Sequence, residues 1–262
     1  MTASTPAFRK ALVRTPASTF AEGLTSANLG APDYSLALVQ FNSYCSALSD
    51  CGIEVITLPA DDRYPDSTFV EDTAVVTDQC VILTRPGALV RRGEVAAIAP
   101  AITVLRSEIR EIKSPGTLEG GDICQAGTHF FIGLSERTNH EGAQQLSNHL
   151  AELGFTSNFV DIRNNDEMLH LKSGLSYLGD GRMVISESLK ADLNFKSFEL
   201  IQASSLDSYA CNCIAVNGRV LIASGFPVLK EKLDQLGYLT IELEVSEFRK
   251  MDGGLSCLSL RF

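Results

Sequence analysis

The feature that most constrains this chain is a unit that repeats: a β-hairpin, then a helix, then a further strand, recurring at roughly 40 to 50 residues. The clearest copy comes last. Cys213-Ile-Ala-Val and Arg219-Val-Leu-Ile flank Asn217-Gly218, a pair suited to a type I′ turn because both positions tolerate positive φ. Pro227 to Leu236 then reads as a helix with Pro at its start and Gly237 after its end, followed by the strand Leu239 to Val245. The same order appears in a hairpin from Asp122 to Leu134, a helix from Asn139 to Leu153 stopped by Gly154, and a strand from Ser157 to Ile162.

Two further copies are weaker. Thr73 to Arg85 forms a hairpin through Asp78-Gln79, with a helix from about Arg92 and the strand Glu108 to Lys113; Leu175 to Ser186 turns at Gly179-Asp180-Gly181 and ends in Phe198 to Gln202. The two termini supply the fifth. Ser256 to Phe262 can pair with Ala11 to Thr15, ahead of a helix near Ala37, Phe41, Tyr44 and Leu48 and the strand Glu54 to Leu58. A ring of five ββαβ units sealed by its first and last strands leaves few open sheet edges and surrounds a short axial channel. The expected fold is an α/β-propeller with pseudo-five-fold symmetry. With no Pro/Gly/Ser-rich linker or low-complexity tract, residues 1–262 read as one domain.

Composition narrows the function. A formal charge of −10 argues against nucleic acid and anionic membranes as partners and weakly favours a cationic small molecule. Met1 to Arg14 contains no apolar leader core, and no stretch is apolar for the roughly 18 residues a membrane span needs, so a cytoplasmic protein is expected. The seven cysteines, odd in number and without framework spacing, fit a reducing compartment, and most should be packed hydrophobes. A homodimer is compatible with all of this.

In a ring, the segments that enter the hairpins occupy equivalent places, so polar residues there converge on the axis. These segments are Asp66 to Asp72, Leu118 to Asp122, His170 to Gly174, Tyr209 to Cys213 and Asp252 to Cys257. Cys257 follows the flexible Gly253-Gly254 pair. Leu258, Leu260 and Phe262 alternate onto one face of the last strand, which should turn Cys257 to the other, a placement suited to a nucleophile. His170 stands at an entrance, unlike His129, His140 and His149, and is the best candidate acid/base, although composition alone allows a structural histidine equally. Glu119-Gly-Gly-Asp122 taken alone could be a solvated turn. With Asp66, Glu71 and Asp72 the axis nevertheless collects five carboxylates, which requires a neutralising cation. No His/Cys cluster has zinc-ligand spacing, so neither metal nor cofactor is expected. A guanidinium, whose planar N–H groups match paired carboxylates, is the better candidate.

These residues resemble the dimethylarginine dimethylaminohydrolases, within the wider guanidino-group-modifying enzymes. The likeness runs from Arg14-Thr-Pro16 and Gly23-Leu24-Thr25 through Tyr64 to Asp72, Arg91-Arg92-Gly93-Glu94, Leu118 to Asp122, Gly133 to Thr138 and His170-Leu-Lys172 to Lys250 to Cys257. It implies a five-bladed α/β-propeller that converts asymmetric dimethylarginine and monomethylarginine to citrulline and the free methylamine. It also implies Cys257 as nucleophile, His170 as proton donor and Glu119 as third catalytic member. Asp72 would pair with the guanidinium, and Arg91 and Arg137 would clamp the substrate carboxylate. Asp66 and the carbonyls of Leu24 and Met251 would receive the amino group, and Glu71 would line the pocket. The rivals are an arginine deiminase-like hydrolase releasing ammonia, and a non-enzymatic amino-acid-binding protein on the same ring.

Overall fold

The computed structural model describes residues 8–106, 108–165 and 168–262, so the segment before Phe8 lies outside the described residues. Strands β1 (Lys10–Arg14) and β2 (Glu54–Leu58) run parallel. Then come β3 (Ala74–Val76), β4 (Cys80–Leu83) and β5 (Glu108–Glu111); β6 (Ile123–Ala126), β7 (His129–Leu134) and β8 (Thr156–Asp161); β9 (Leu175–Gly179), β10 (Arg182–Ile185) and β11 (Glu199–Gln202); and β12 (Ile214–Val216), β13 (Arg219–Ala223) and β14 (Leu239–Leu243). The last strand, β15 (Leu260–Arg261), returns to pair antiparallel with β1, Ala11 opposite Arg261 and Leu12 opposite Leu260. The described residues therefore form five three-stranded sheets of one design, an antiparallel hairpin followed by a parallel third strand. The termini complete the first of them, which closes the α/β-propeller expected from the repeat.

Burial follows the position of each strand. The central strands are almost continuously buried, as in Val220–Ala223 and Phe130–Leu134, whereas the outer parallel strands mix covered and exposed side chains, in strict alternation along Glu108–Glu111. Both chemistries were written into the sequence: unbroken apolar runs for strands covered on two faces, alternation for half-covered ones. The hairpin turns carry the left-handed backbone their residues suggest, with Asn217 at φ 45° and Gly218 at φ 81°.

Helix α1 (Tyr34–Asp50) is capped by Asp33, whose carboxylate accepts from Leu36 N at 3.0 Å, and buries Ala37, Phe41, Tyr44 and Leu48 at helical spacing. Helices α2 (Arg92–Ile102), α3 (His140–Glu152) and α4 (Pro227–Gln235) connect the second, third and fifth sheets in the same way. Asn139 caps α3 through Gly142 N, and Pro227 opens α4. The fourth unit departs from the repeat: its crossover, between β10 and β11, contains a single 3-10 turn, Leu193–Phe195.

Each hairpin is entered through a further 3-10 turn: Val70–Thr73, Gly120–Asp122, Leu171–Ser173, Ser205–Cys211 and Ser256–Leu258. This corrects the expectation for Cys257, which sits in the last of these turns and not on the final strand. A one-turn element has no apolar period, so alternation of Leu258, Leu260 and Phe262 misread it as strand.

Candidate active site

The entrance turns gather the reactive side chains. Cys257, His170, Asp72, Glu119, Arg91, Arg137, Asp66, Leu24 and Met251 line one narrow cleft with only about 20 Å³ free, which opens past Asp252, His170 and Cys257 into a cavity of about 400 Å³. Every one of the ten sequence-predicted site residues lies at this cleft except Glu71.

His170 is buried, and its Nε2 lies 2.8 Å from Oε2 of Glu119. Burial alone would lower the imidazole pKa, but Asp72, Asp122 and Glu119 outweigh it and raise His170 to about 9. The ring is therefore an imidazolium at neutral pH. Glu119 is fully buried; burial opposes its charge, yet the bond to His170 holds its carboxyl below the usual range. Ala88 N also donates to Glu119 Oε1, at 3.3 Å. Gly121 is required beside this pair, because a Cβ there would stand 2.6 Å from His170 Nδ1 and 3.0 Å from Asp72 Oδ1.

Cys257 is 9% exposed. Its sulfur accepts from Gly254 N at 3.4 Å, and burial, with Glu71 and Asp72 adding to it, pushes the thiol up to about 12. The resting side chain is a neutral thiol. Its turn is clamped by Asn212, which accepts from Ser256 N at 2.8 Å and donates to Ser256 Oγ at 3.1 Å.

Asp72 accepts from Gly121 N at 2.9 Å through Oδ1 and from Arg91 Nη1 at 2.7 Å through Oδ2. Burial would raise it, but His170 and Arg91 bring it down to about 2, so it is ionised. Arg91 also grips Glu94, through Nε at 3.0 Å and Nη2 at 2.9 Å. The structure thus places on Asp72 the protein's own guanidinium, where the sequence pointed only to a substrate's. Arg137 stands at the rim, its Nη1 3.9 Å from Glu119 Oε1. Asp66 accepts from Leu24 N through both oxygens, at 3.2 and 3.1 Å, and burial raises its carboxyl pKa although Arg91 opposes this.

Glu71 points the other way. Its carboxylate meets Lys172 Nζ at 2.5 Å and Ser256 Oγ at 2.8 Å, with Arg261 at 3.6 Å, and lines a separate cavity of about 180 Å³ beneath the cleft. The physical reason is the tight turn Val70–Thr73, which sends the adjacent Glu71 and Asp72 to opposite sides. The five axial carboxylates are therefore neutralised largely from within, by Arg91, His170, Lys172 and Arg261, and Asp122 is held by Ser135 Oγ at 2.7 Å and Leu171 N at 3.0 Å. Glu94, Lys172, Asn212 and Ser256 were missed as site residues. Only Glu94 left a readable signal, its i,i+3 spacing from Arg91.

Asp72, Glu119 and His170 offer ligand atoms within 4.8 Å of one another, a spacing compatible with a metal ion. Arg91 and Gly121 on Asp72, and the direct His170–Glu119 contact, already engage those atoms, which favours an internal charge network.

Comparison with known proteins agrees with this geometry. The arginine deiminase family matches residues 62–216. The N(G),N(G)-dimethylarginine dimethylaminohydrolase of Pseudomonas aeruginosa is 44% identical over 256 residues, 97% of this chain and 100% of that protein. A crystal structure of the Pseudomonas aeruginosa enzyme, a cysteine-to-serine variant complexed with citrulline, superposes with a TM-score of 0.95 at 43% identity, covering 98% of this chain and 100% of that one. A dimethylarginine dimethylaminohydrolase with histidine replaced by glycine, as an adduct with S-methyl-L-thiocitrulline, gives a TM-score of 0.94 at 44% identity, covering 97% and 100%. The chain belongs to the dimethylarginine dimethylaminohydrolase family. Among the described residues no helix is long and apolar enough to cross a membrane.

Proposed function

We propose that this chain, as one domain spanning residues 1–262, hydrolyses asymmetric dimethylarginine and monomethylarginine to citrulline and dimethylamine or methylamine through a covalent intermediate on Cys257. The observation that carries the reading is the meeting of a cysteine, an imidazolium held by Glu119, and an ionised Asp72 in one buried cleft.

The substrate's guanidinium seats on Asp72, with Asp66 and the carbonyls of Leu24 and Met251 toward its amino group and Arg137 and Arg91 toward its carboxylate. Bringing a cation beside Cys257 stabilises the thiolate and offsets the effect of Glu71 and Asp72, so the thiol proton leaves to solvent as substrate binds. The thiolate adds to the central guanidinium carbon. His170 already carries a proton and gives it to the departing dimethylamine as the C–N bond breaks, which leaves an S-linked thiouronium. Now neutral, His170 takes a proton from a water molecule, whose oxygen adds to the same carbon. Collapse of that adduct breaks the C–S bond and expels the thiolate, and loss of the hydroxyl proton to solvent gives citrulline. Glu119 keeps the imidazole ring oriented and stabilises its charge through both proton transfers.

Incubating the purified protein with asymmetric dimethylarginine and, separately, with arginine tests the reading. The expected result is citrulline and dimethylamine from the methylated substrate and little ammonia from arginine. Ammonia from arginine at the higher rate would make the protein a deiminase.

A further inference from the structure

Arg91 is an unusual cation for a recognition site. It follows Leu89 and Val90, both more than half exposed, yet is itself 6% exposed and lines the cleft. Its guanidinium serves three carboxylates: Glu94 through Nε and Nη2, Asp72 through Nη1, and Glu119 at 3.9 Å from Nη1. With Gly121 N on Oδ1 of Asp72 and Arg91 Nη1 on Oδ2, a ligand guanidinium that takes both carboxylate oxygens must displace Arg91 from Oδ2. Seating a substrate guanidinium on Asp72 therefore exchanges one guanidinium for another of the same kind, and affinity depends on how readily Arg91 lets go.

We propose that Glu94 is a positioning residue whose two-point hold on Arg91 allows the incoming guanidinium to displace Arg91 from Asp72. This rests on the functional reading above. A buried guanidinium that lost Asp72 without another anion would be an uncompensated charge, and that cost would keep it in place. Glu94, at 3% exposure, supplies that anion, and its fork matches Nε and Nη2, so that Nη1, once clear of Asp72, is left as the donor for the substrate carboxylate. Glu94 is faced by Arg91, by Arg14 from β1, and by Asp66 and Asp72 from the segment before β3. Burial raises its carboxyl to about 7 against the pull of Arg91, so the hold weakens as pH falls through that value.

The test is steady-state kinetics on asymmetric dimethylarginine for the wild-type protein and for Glu94→Gln, which keeps the shape but removes the charge. The expected result is a KM raised about tenfold in the variant with kcat changed less than about threefold. Inhibition by N,N-dimethylguanidinium, which meets Asp72 but has no carboxylate, should weaken in parallel. The wild-type KM should rise as pH falls through about 7, and that dependence should be absent from the variant. A variant with wild-type KM and pH profile, whatever its melting temperature, overturns the proposal; so does a loss confined to ligands that bear a carboxylate. If the variant does not fold, the wild-type profile decides alone, and a flat KM from about pH 6 to about pH 8.5 overturns it. A wild-type protein without dimethylamine production overturns the functional reading itself, a different outcome from normal turnover with an indifferent Glu94.

Discussion

Nε2 of His170 and Oε2 of Glu119 lie 2.8 Å apart with both side chains buried, and this contact fixes the protonation of the site. A histidine raised to about 9 is the acid that an amine leaving group needs. Turnover should fall as pH rises through about 9, and Glu119→Gln should move that limb to lower pH, read from kcat against pH. Because the pKa is raised on folding, its contribution to stability is complete below the unfolded value of about 6.5. It is lost as pH rises through about 9, which thermal melts across that range would register.

Cys257 presents the opposite case. With its thiol pushed up to about 12, the substrate-free protein should be alkylated at Cys257 by iodoacetamide at pH 7 at least about a hundredfold more slowly than free cysteine, rising with pH. Peptide mass spectrometry at Cys257 separates it from half-buried Cys45.

Gly121 gives a steric test. In Gly121→Ala the added methyl would press on His170 Nδ1 and Asp72 Oδ1. Activity should fall by about a hundredfold, since misplacing catalytic groups by even an ångström costs that much. The melting temperature should fall by a few degrees, since overpacking a buried site costs about 1–3 kcal/mol. Full activity would mean that His170 has room to shift.

Beneath the cleft, Lys172 neutralises Glu71. Lys172→Ala leaves that carboxylate buried with Ser256 and the more distant Arg261, and should destabilise the protein by about 3 kcal/mol in denaturant unfolding. A change below about 0.5 kcal/mol would show Arg261 to be sufficient.

Much of the ring could be read from the sequence because its punctuation is local. Asn217-Gly218 and Gly179-Asp180-Gly181 can adopt the positive φ their turns require, and Asn139 and Pro227 start helices where such residues do. Sheet closure between Leu12 and Leu260 followed from counting units. The short 3-10 turns Val70–Thr73 and Ser256–Leu258 were not readable, since three or four residues carry no period, and with them went the placement of Cys257 and the opposed directions of Glu71 and Asp72. The Arg91 contact with Asp72 was hidden for another reason. It joins residues 19 positions apart whose pairing depends on how two turns meet.

The central claim is a covalent bond between Cys257 and the substrate's guanidinium carbon. Acid quenching during turnover of asymmetric dimethylarginine, followed by intact-protein and peptide mass spectrometry, tests it most directly. The expected result is a mass increment equal to substrate minus dimethylamine, confined to the peptide that contains Cys257 and absent from Cys257→Ser. Steady citrulline production by Cys257→Ser, or an adduct on any other residue, would contradict the account.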